Sequence, residues 1–305
     1  MPPEITSRRI SVVIPTYNRG SILSDTLRMV LRQDYDDYEI IVVDQSPKCS
    51  PEVEEVIAAV PEKIRYLRLH VPNLPAARNA GVRAATGDII AFIDDDVEIG
   101  PEYLKTHVRH YEDHLVGGVT GVTLSPLNTR TDDQIQATLR AFEARLVLGN
   151  GRAHLSWMVG CNSSYRKGAI VAAGMSDERF SGGACAEDAD LSVRVRHLGY
   201  VLLFDPDIHL VHLEAPTGGC ENRSNSETKE TERLLQYAYH LLKNRKIIGT
   251  MTVMGALIRY YRRFAVTRRA LRGGPAVVLK KTFTFLKSVR RVLLCVADKA
   301  LPLAE

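Results

Sequence analysis

The segment "IIAFIDDDVEIG", residues 89–100, places three consecutive acids directly after a run of apolar residues. The run 89–93 is typical of a strand that is buried on both faces. Three adjacent carboxylates repel one another, so such a strand end is stable only where solvent or a cation compensates the charge. The alternation of a strand places Asp94 and Asp96 on one side and Asp95 on the other.

The residues before this segment alternate between strand and helix patterns. The predicted strands are "ISVVIP" (10–15), "EIIVVD" (39–44), "IRYLRL" (64–69) and "IIAFID" (89–94), and helical patterns lie at 22–31, in "SPEVEEVIAAV" (50–60) and in "PAARNAGVRAA" (75–85). This order predicts an α/β fold, in which a mostly parallel sheet carries helices on both faces.

Polar groups follow three of the predicted strands. They are "PTYNR" (15–19), "DQS" (44–46) and the acids 94–96. Ligands of open parallel sheets bind beyond the carboxyl ends of the strands, so these groups predict a binding site. Carboxylates at such an edge favour a hard divalent cation, Mg²⁺ or Mn²⁺, together with phosphate oxygens. The alternative is a solvated acidic turn.

Composition limits the class of protein. The five cysteines among 305 residues are widely spaced and form no C-x-x-C pair, which predicts neither a disulfide framework nor a zinc site and favours a reducing, cytoplasmic compartment. Residues 1–9 lack the apolar core of a signal peptide, and no apolar run approaches the length of a spanning helix. We therefore expect a soluble or peripheral protein.

Several motifs in order resemble glycosyltransferase family 2, the inverting family with the GT-A fold. They are "SVVIPTYNR", "IIVVDQS", "NLPAARNAG", "GDIIAFIDDD", "VGCNSSYRK" and "AEDADLSVRVRHLGY". The resemblance covers residues 8–217, with a nucleotide-sugar-binding half at 8–125 and an acceptor-binding half at 126–217. Residues 218–305 would form a separate helical region.

The resemblance assigns roles on the donor side of the site. Asp44 would accept a hydrogen bond from a uracil or thymine imide, with a helix N-cap as its alternative role. Arg78, at a helix start, would bind phosphate, or else form a surface salt bridge. The remaining donor-side candidates are Pro15, Thr16 and Asn18 around base and ribose, Asp94 near ribose and metal, Asp95 in the same motif, and Asp96 as the direct metal ligand. Turn formation is the alternative role of Pro15 and Asn18. Of the three acids, Asp95 is expected to tolerate substitution best.

The resemblance also assigns roles on the acceptor side. Asp188 would be the general base, with Glu187 contacting the acceptor or holding the loop. The alternative roles are helix N-capping by Asp188 and stabilisation of the helix dipole by Glu187. Both His209 and His212 follow a predicted strand at 200–204. His212, more than His209, would add a metal ligand, or else be a core or hydrogen-bonded histidine. Asn162, in "VGCNSSYRK", and Trp157 would line the acceptor site, although Trp157 equally suits packing.

The implied reaction is metal-dependent transfer of a sugar from a UDP-, GDP- or dTDP-sugar to a hydroxyl of a glycan or lipid-linked acceptor, in polysaccharide synthesis. Two alternatives remain open from the residues. A polyprenyl-phosphate acceptor would need little help from a base because it is already ionised. A non-catalytic scaffold that binds nucleotide sugars is the third possibility.

The charge of the chain is uneven. Residues 229–305 contain 17 Lys and Arg against 4 Asp and Glu, whereas residues 1–228 contain 23 against 32. We expect one long helix over 229–263 and a further helical stretch after Pro275. Basic clusters beside apolar stripes favour helices on the anionic inner face of the plasma membrane. A helical hairpin packed on the catalytic domain or a homodimer contact is the alternative, and nucleic-acid binding is not expected.

Overall fold

The computed structural model describes residues 8–126, 140, 146–147, 152–180, 185–219, 226–298 and 303. Its core is a single mixed sheet. The strands are β1 (Ile10–Thr16), β2 (Tyr38–Asp44), β3 (Ile64–Arg68), β4 (Ile89–Ile93), β5 (Val97–Ile99), β6 (Val116–Leu124), β7 (Leu146–Val147), β8 (Ala153–His154), β9 (Asn162–Arg166) and β10 (Val201–His212).

The sheet has the order β3-β2-β1-β4-β9-β6-β10-β8-β7, and β5 pairs with β10 outside this path. Strands β1 to β4 are mutually parallel, and β6 and β10 run in the same direction. Strand β9 is antiparallel to both of its neighbours, β4 and β6. The prediction of a mostly parallel α/β sheet is confirmed.

Helices cover both faces of this sheet. They are α1 (Ser21–Val30), α2 (Pro51–Ala59), α3 (Leu74–Ala84), α4 (Tyr103–Val108), α5 (Lys167–Ala172) and α6 (Glu187–His197), with a 3₁₀ turn at Arg109–Glu112. Helices α1, α2 and α4 bury apolar side chains against one face, and α3, α5 and α6 do so against the other. In β1, Val12 and Ile14 belong to the first core and Val13 to the second, because successive side chains of a strand alternate between faces.

The C-terminal region is a bundle of helices rather than one long helix followed by a second stretch. Its helices are α7 (Ser226–Lys243), α8 (Arg245–Ile248), α9 (Thr250–Ala265), α10 (Arg268–Arg272) and α11 (Pro275–Ala297). The prediction of a continuous helix over 229–263 is wrong. Gly249 has a φ of 94°, which a right-handed helix does not accommodate, so the chain turns between α8 and α9.

This bundle packs against the rest of the protein. Lys243 Nζ lies 2.7 Å from Asp177 Oδ2 and 2.9 Å from Asp190 Oδ2, and the Asn244 amide donates to Asp190 Oδ1 at 2.7 Å. The Phe180 and Tyr239 rings meet edge to face with 5.2 Å between centroids. The C-terminal bundle, which we also call the tail (residues 226–297), therefore contacts the preceding part of the chain directly. Within the described residues, no helix has the length and hydropathy needed to cross a membrane.

We predict that acid weakens this contact through Asp177. Burial alone would raise the pKa of Asp177, but hydrogen bonds from Arg179 and Lys243 and the charge of Lys243 lower it far below its usual value. Folded protein thus holds Asp177 ionised at pH values where unfolded chain, with a pKa of about 3.9, binds a proton. This contribution to stability is complete above pH ~4 and is lost as pH falls below it.

The measurement is urea unfolding across this acid range. Asp177→Asn should lower the unfolding free energy at neutral pH by about 1 to 3 kcal/mol and should reduce its decline in acid. The exposed Asp36→Asn is the matched control. An Asp177→Asn protein with the same acid decline as wild type would contradict the assignment.

Candidate active site

The predicted strand ends meet at one edge of the sheet. Thr16, the last residue of β1, is in register with Asp44, the last residue of β2, and β4 ends at Ile93, directly before the three acids. At the same edge, β10 ends at His212, which is paired with Val97 just beyond those acids. The ends of β1, β2, β4 and β10 thus place polar groups together at one edge of the sheet.

Asp94, Asp96 and His212 form a group of candidate metal ligands. Their ligand atoms lie within 4.8 Å of one another. His212 Nε2 is 3.4 Å from Asp94 Oδ2 and 3.3 Å from Asp96 Oδ1. Hydrogen bonds to these two carboxylates raise the pKa of His212 to about 10. Two carboxylates and an imidazole suit Mn²⁺ or a similar divalent ion, which would take the place of the imidazole proton.

His209 does not join this group. It lies three residues earlier in β10, in register with Val122, and its side chain is exposed. Both histidines were expected to follow a strand ending at Phe204, but β10 continues to His212. The extra length of β10 brings His212 to the edge of the sheet.

Arg19 is the cation beside the acids, and the sequence patterns gave it no role. Its Nε lies 3.2 Å from Asp95 Oδ1 and its Nη2 lies 3.3 Å from Asp96 Oδ2. Asp95 does not belong to the group of Asp94, Asp96 and His212, and it is only 5% exposed. Burial raises the pKa of Asp95 to about 7, against the lowering effects of a hydrogen bond with Thr16 and of the charge of Arg19. Asp95 is therefore buried and ion-paired, and its greater tolerance of substitution stays a prediction.

The loop after β10 closes over Asp96. The Leu213 N–H donates to the Asp96 carbonyl at 2.8 Å, and the Ala215 N–H donates to Asp96 Oδ2 at 2.9 Å. Arg19 Nη1 donates to the carbonyls of Ala215 and Thr217, and the Gly219 N–H donates to the Tyr17 carbonyl at 2.8 Å. The segment 213–219 is therefore hydrogen-bonded to the residues that follow β1 and β4, at the candidate metal site.

Asp44 lies at the same edge, at the end of β2. It is 4% exposed, and it accepts hydrogen bonds from Tyr66 Oη and the Ser46 N–H, each at 2.7 Å. The N-cap position of α2 is occupied by Ser50, so Asp44 does not cap that helix. These bonds fix the carboxylate and leave lone pairs for a further donor.

Arg78 connects the metal side of the site to the acids of α6. It lies in the second turn of α3 and not at the helix start, as was expected. Its side chain is only 5% exposed, so the alternative of a surface salt bridge is also wrong. Its Nη1 is 2.8 Å from Glu187 Oε1, and its Nη2 is 3.9 Å from Asp94 Oδ1. One guanidinium thus lies between Asp94, which directly follows β4, and Glu187, the first residue of α6.

Asp188 differs from its neighbour Glu187 in accessibility. Glu187 is 4% exposed and bonded to Arg78, whereas the Asp188 side chain is half-buried and accepts from the Gly160 N–H at 3.1 Å. Burial raises the pKa of Asp188 above the usual aspartate value, although Arg78 opposes this shift. The α6 N-cap position is Ala186, so neither acid is the cap residue. Gly182 and Gly183, before this motif, lie outside the described residues.

Asn162 is not placed to contact an acceptor. It is fully buried in β9, where its side-chain oxygen accepts from Tyr103 Oη at 2.9 Å and its amide donates to the Val122 carbonyl at 3.0 Å. The expectation of an acceptor role is therefore corrected to a structural one.

Trp157, the other acceptor-side candidate, is half-buried. The N–H of the next residue, Met158, donates a hydrogen bond to Ser192 Oγ in α6 at 3.1 Å.

The three candidates around the base and ribose lie on or just beyond β1. Pro15 and Thr16 are buried within the strand, so Pro15 does not form a turn. Asn18 is exposed, has a φ of 55°, and its N–H donates to Ser46 Oγ at 2.8 Å. The turn expected at Asn18 is thus present, and it is bonded to the segment after β2.

Gly160 leaves room for the Arg78 guanidinium, because it has no side chain. A Cβ at residue 160 would lie 2.4 Å from Arg78 Nη2 and 2.8 Å from its Cζ. Since Arg78 is buried and ion-paired, Gly160→Ala should lower the unfolding free energy by about 1 to 3 kcal/mol. Gly100→Ala is the control, because a Cβ there meets nothing within 4 Å. Equal urea-unfolding curves for the two variants would refute the steric argument.

Comparison with known proteins agrees with this architecture. Residues 11–171, more than half of the chain, match the sequence model of glycosyl transferase family 2. The chain belongs to glycosyl transferase family 2. The "Putative glycosyltransferase EpsH" of Bacillus subtilis (strain 168) is 34% identical over 101 residues, which are 33% of this chain and 29% of that protein. The matched part spans about a quarter to two fifths of the length of the first such curated relatives.

Solved structures of glycosyltransferases share the fold of this family 2 member. The mannosyltransferase PcManGT from Pyrobaculum calidifontis, in complex with GDP-Man and Mn²⁺, matches with a TM-score of 0.60 at 20% identity, over 99% of this chain and 90% of that one. S. aureus TarS 1–349, in complex with UDP-GlcNAc, matches with a TM-score of 0.56 at 15% identity, over 95% and 92%. The predicted GT-A fold is thereby confirmed.

Proposed function

We propose that this protein transfers a sugar, with inversion, from a nucleotide-diphospho-sugar to a hydroxyl of a glycan or lipid-linked acceptor. The observation that carries the proposal is the convergence of Asp94, Asp96 and His212 at the edge where Asp44 also lies. Family membership and the nucleotide sugars bound by PcManGT and TarS support it. Residues 8–217 would form the catalytic unit.

The donor would lie along the edge formed by β1, β2 and β4. Asp44 would accept a hydrogen bond from the base, with Pro15, Thr16 and Asn18 beside base and ribose. Asp94, Asp96 and His212 would hold Mn²⁺ or Mg²⁺, which when bound neutralises charge on the diphosphate leaving group. Arg78, already buried between Asp94 and Glu187, would add a fixed positive charge on the same side.

The acceptor would approach from the side of α6. Inversion requires a base opposite the leaving group that takes the acceptor hydroxyl's proton as its oxygen attacks the anomeric carbon. Asp188 suits this role better than Glu187 because it is more exposed and is not the partner of Arg78 at 2.8 Å. Glu187 would instead hold Arg78 in place, and Trp157 would lie beside the sugar or acceptor.

The test is a turnover screen with purified protein, Mn²⁺ and a panel of UDP-, GDP- and dTDP-sugars, with release of the nucleoside diphosphate as the readout. At least one donor should be turned over, and EDTA should abolish the reaction. Donor binding, measured by a rise in melting temperature, with no turnover across a broad acceptor panel would contradict the catalytic proposal and favour a scaffold.

A further inference from the structure

Helix α11 (Pro275–Ala297) has two apolar faces on opposite sides. One face is buried within the bundle and contains Phe285, Val292 and Cys295. The other contains Leu279, Phe283, Leu286 and Leu293, which are 68%, 71%, 59% and 51% exposed. At 100° per residue, these four form a single stripe roughly opposite the buried face. We call this stripe the outer face of α11.

Helix α9 (Thr250–Ala265) repeats the pattern. Its buried residues include Val253, Ala256 and Phe264, whereas Met251, Met254 and Ile258 lie on the other side and are 84%, 53% and 51% exposed. Single exposed apolar side chains are ordinary on proteins, but exposed apolar stripes on two helices that contact each other indicate an interaction surface.

The positive charge of these two helices indicates an anionic partner. Residues 250–297 contain eleven Lys and Arg and no Asp or Glu. On α11, Lys287 is exposed beside the outer face and Arg290 is exposed within it, and Arg259 and Arg262 are exposed on α9. A second copy of this chain would bring like charges together, whereas anionic phospholipid headgroups complement them.

We propose that the outer face of α11, together with the exposed stripe of α9, docks on a bilayer surface that contains anionic phospholipid. The apolar side chains enter the boundary between headgroups and acyl chains, and the flanking basic residues contact lipid phosphates. Neither helix crosses the bilayer. The buried face of each helix keeps its contacts within the bundle, so docking needs no unfolding.

The experiment is co-sedimentation of the full chain with vesicles of phosphatidylcholine and phosphatidylglycerol in equal parts, and with vesicles of phosphatidylcholine alone. Wild type should sediment with the anionic vesicles and remain in solution with the neutral ones. The double variant Phe283→Ser/Leu286→Ser should weaken binding by roughly tenfold or more, because it removes two side chains from the apolar boundary. Lys287→Gln/Arg290→Gln should weaken it by several-fold per charge and lessen its sensitivity to salt.

The control is Val71→Ser/Leu198→Ser, which removes two exposed apolar side chains outside the tail, 73% and 45% exposed. Its binding should equal that of wild type, and circular dichroism and melting temperature should verify that every variant is folded. Equal binding by all variants, or equal binding of wild type to neutral vesicles, would overturn the proposal. A wild-type homodimer in sedimentation velocity that Phe283→Ser/Leu286→Ser dissociates would also overturn it, since the face would then bind a second copy. No donor or acceptor is present, so this result does not depend on the proposed reaction.

Discussion

Asp96→Asn should lower kcat/KM for sugar transfer by roughly a hundredfold or more, which corresponds to a loss of at least ~2.7 kcal/mol of transition-state stabilisation. Asp96 is 1% exposed, with one oxygen toward His212 and the other bonded to the Ala215 N–H. Burial opposes its ionisation, but hydrogen bonds from His212 and Ala215 lower the pKa of Asp96 below its usual value. The site therefore keeps a full negative charge there, which asparagine cannot supply.

Glu98→Gln is the matched control for this experiment. Glu98 is exposed on β5, two residues beyond Asp96, and its loss of charge should leave kcat/KM near the wild-type value. Asparagine preserves the size of the side chain and an acceptor for the Ala215 N–H, so Asp96→Asn should remain folded. Wild-type turnover by a folded Asp96→Asn protein would remove Asp96 from the catalytic machinery.

Asp188→Asn should lower kcat by roughly a hundredfold to ten-thousandfold with little change in KM for the donor, because a general base acts mainly in the transition state. Glu187→Gln should have a different signature. It replaces the carboxylate 2.8 Å from Arg78 with a neutral amide, so it should raise KM for the donor and lower stability. Steady-state kinetics of the two variants separates the roles of the adjacent acids.

The pH dependence follows from the environment of Asp188. Since burial raises the pKa of Asp188, wild-type kcat/KM should fall with decreasing pH at a higher pH than an ordinary aspartate would give. The residual activity of Asp188→Asn should lack this decline. If Asp188→Asn keeps wild-type kcat, the acceptor needs no base, as expected of a phosphate acceptor, or Glu187 is the base.

The first half of the fold and the candidate metal ligands could be predicted because their signals are local. Apolar runs and helical periodicity define β1 to β4 and α1 to α3, and a strand end determines where Asp94 and Asp96 lie. His212 could be assigned from its resemblance to related sequences. The structure adds that the length of β10 brings it within 3.4 Å of Asp94.

The contacts that the sequence did not predict join distant residues. Arg19 contacts acids that lie more than seventy positions later; the pattern placed "PTYNR" and the acids at one edge of the sheet but did not pair them. Strand β9 contains Asn162, Ser163 and Ser164, all fully buried, although polar residues normally indicate exposure. Asn162 bonds to Tyr103, and Ser164 bonds to His107 and Tyr111, which lie more than fifty residues earlier in the chain. Such buried polar strands have no local signature.

The most direct test of the account is Mn²⁺ binding measured by electron paramagnetic resonance, because bound Mn²⁺ loses the sharp signal of the free ion. We predict one site per chain, tighter binding when UDP or GDP is added, and loss of that site in Asp96→Asn but not in Glu98→Gln. Failure of wild type to bind Mn²⁺ with either nucleotide, or equal binding by Asp96→Asn, would contradict a cation site at Asp94, Asp96 and His212.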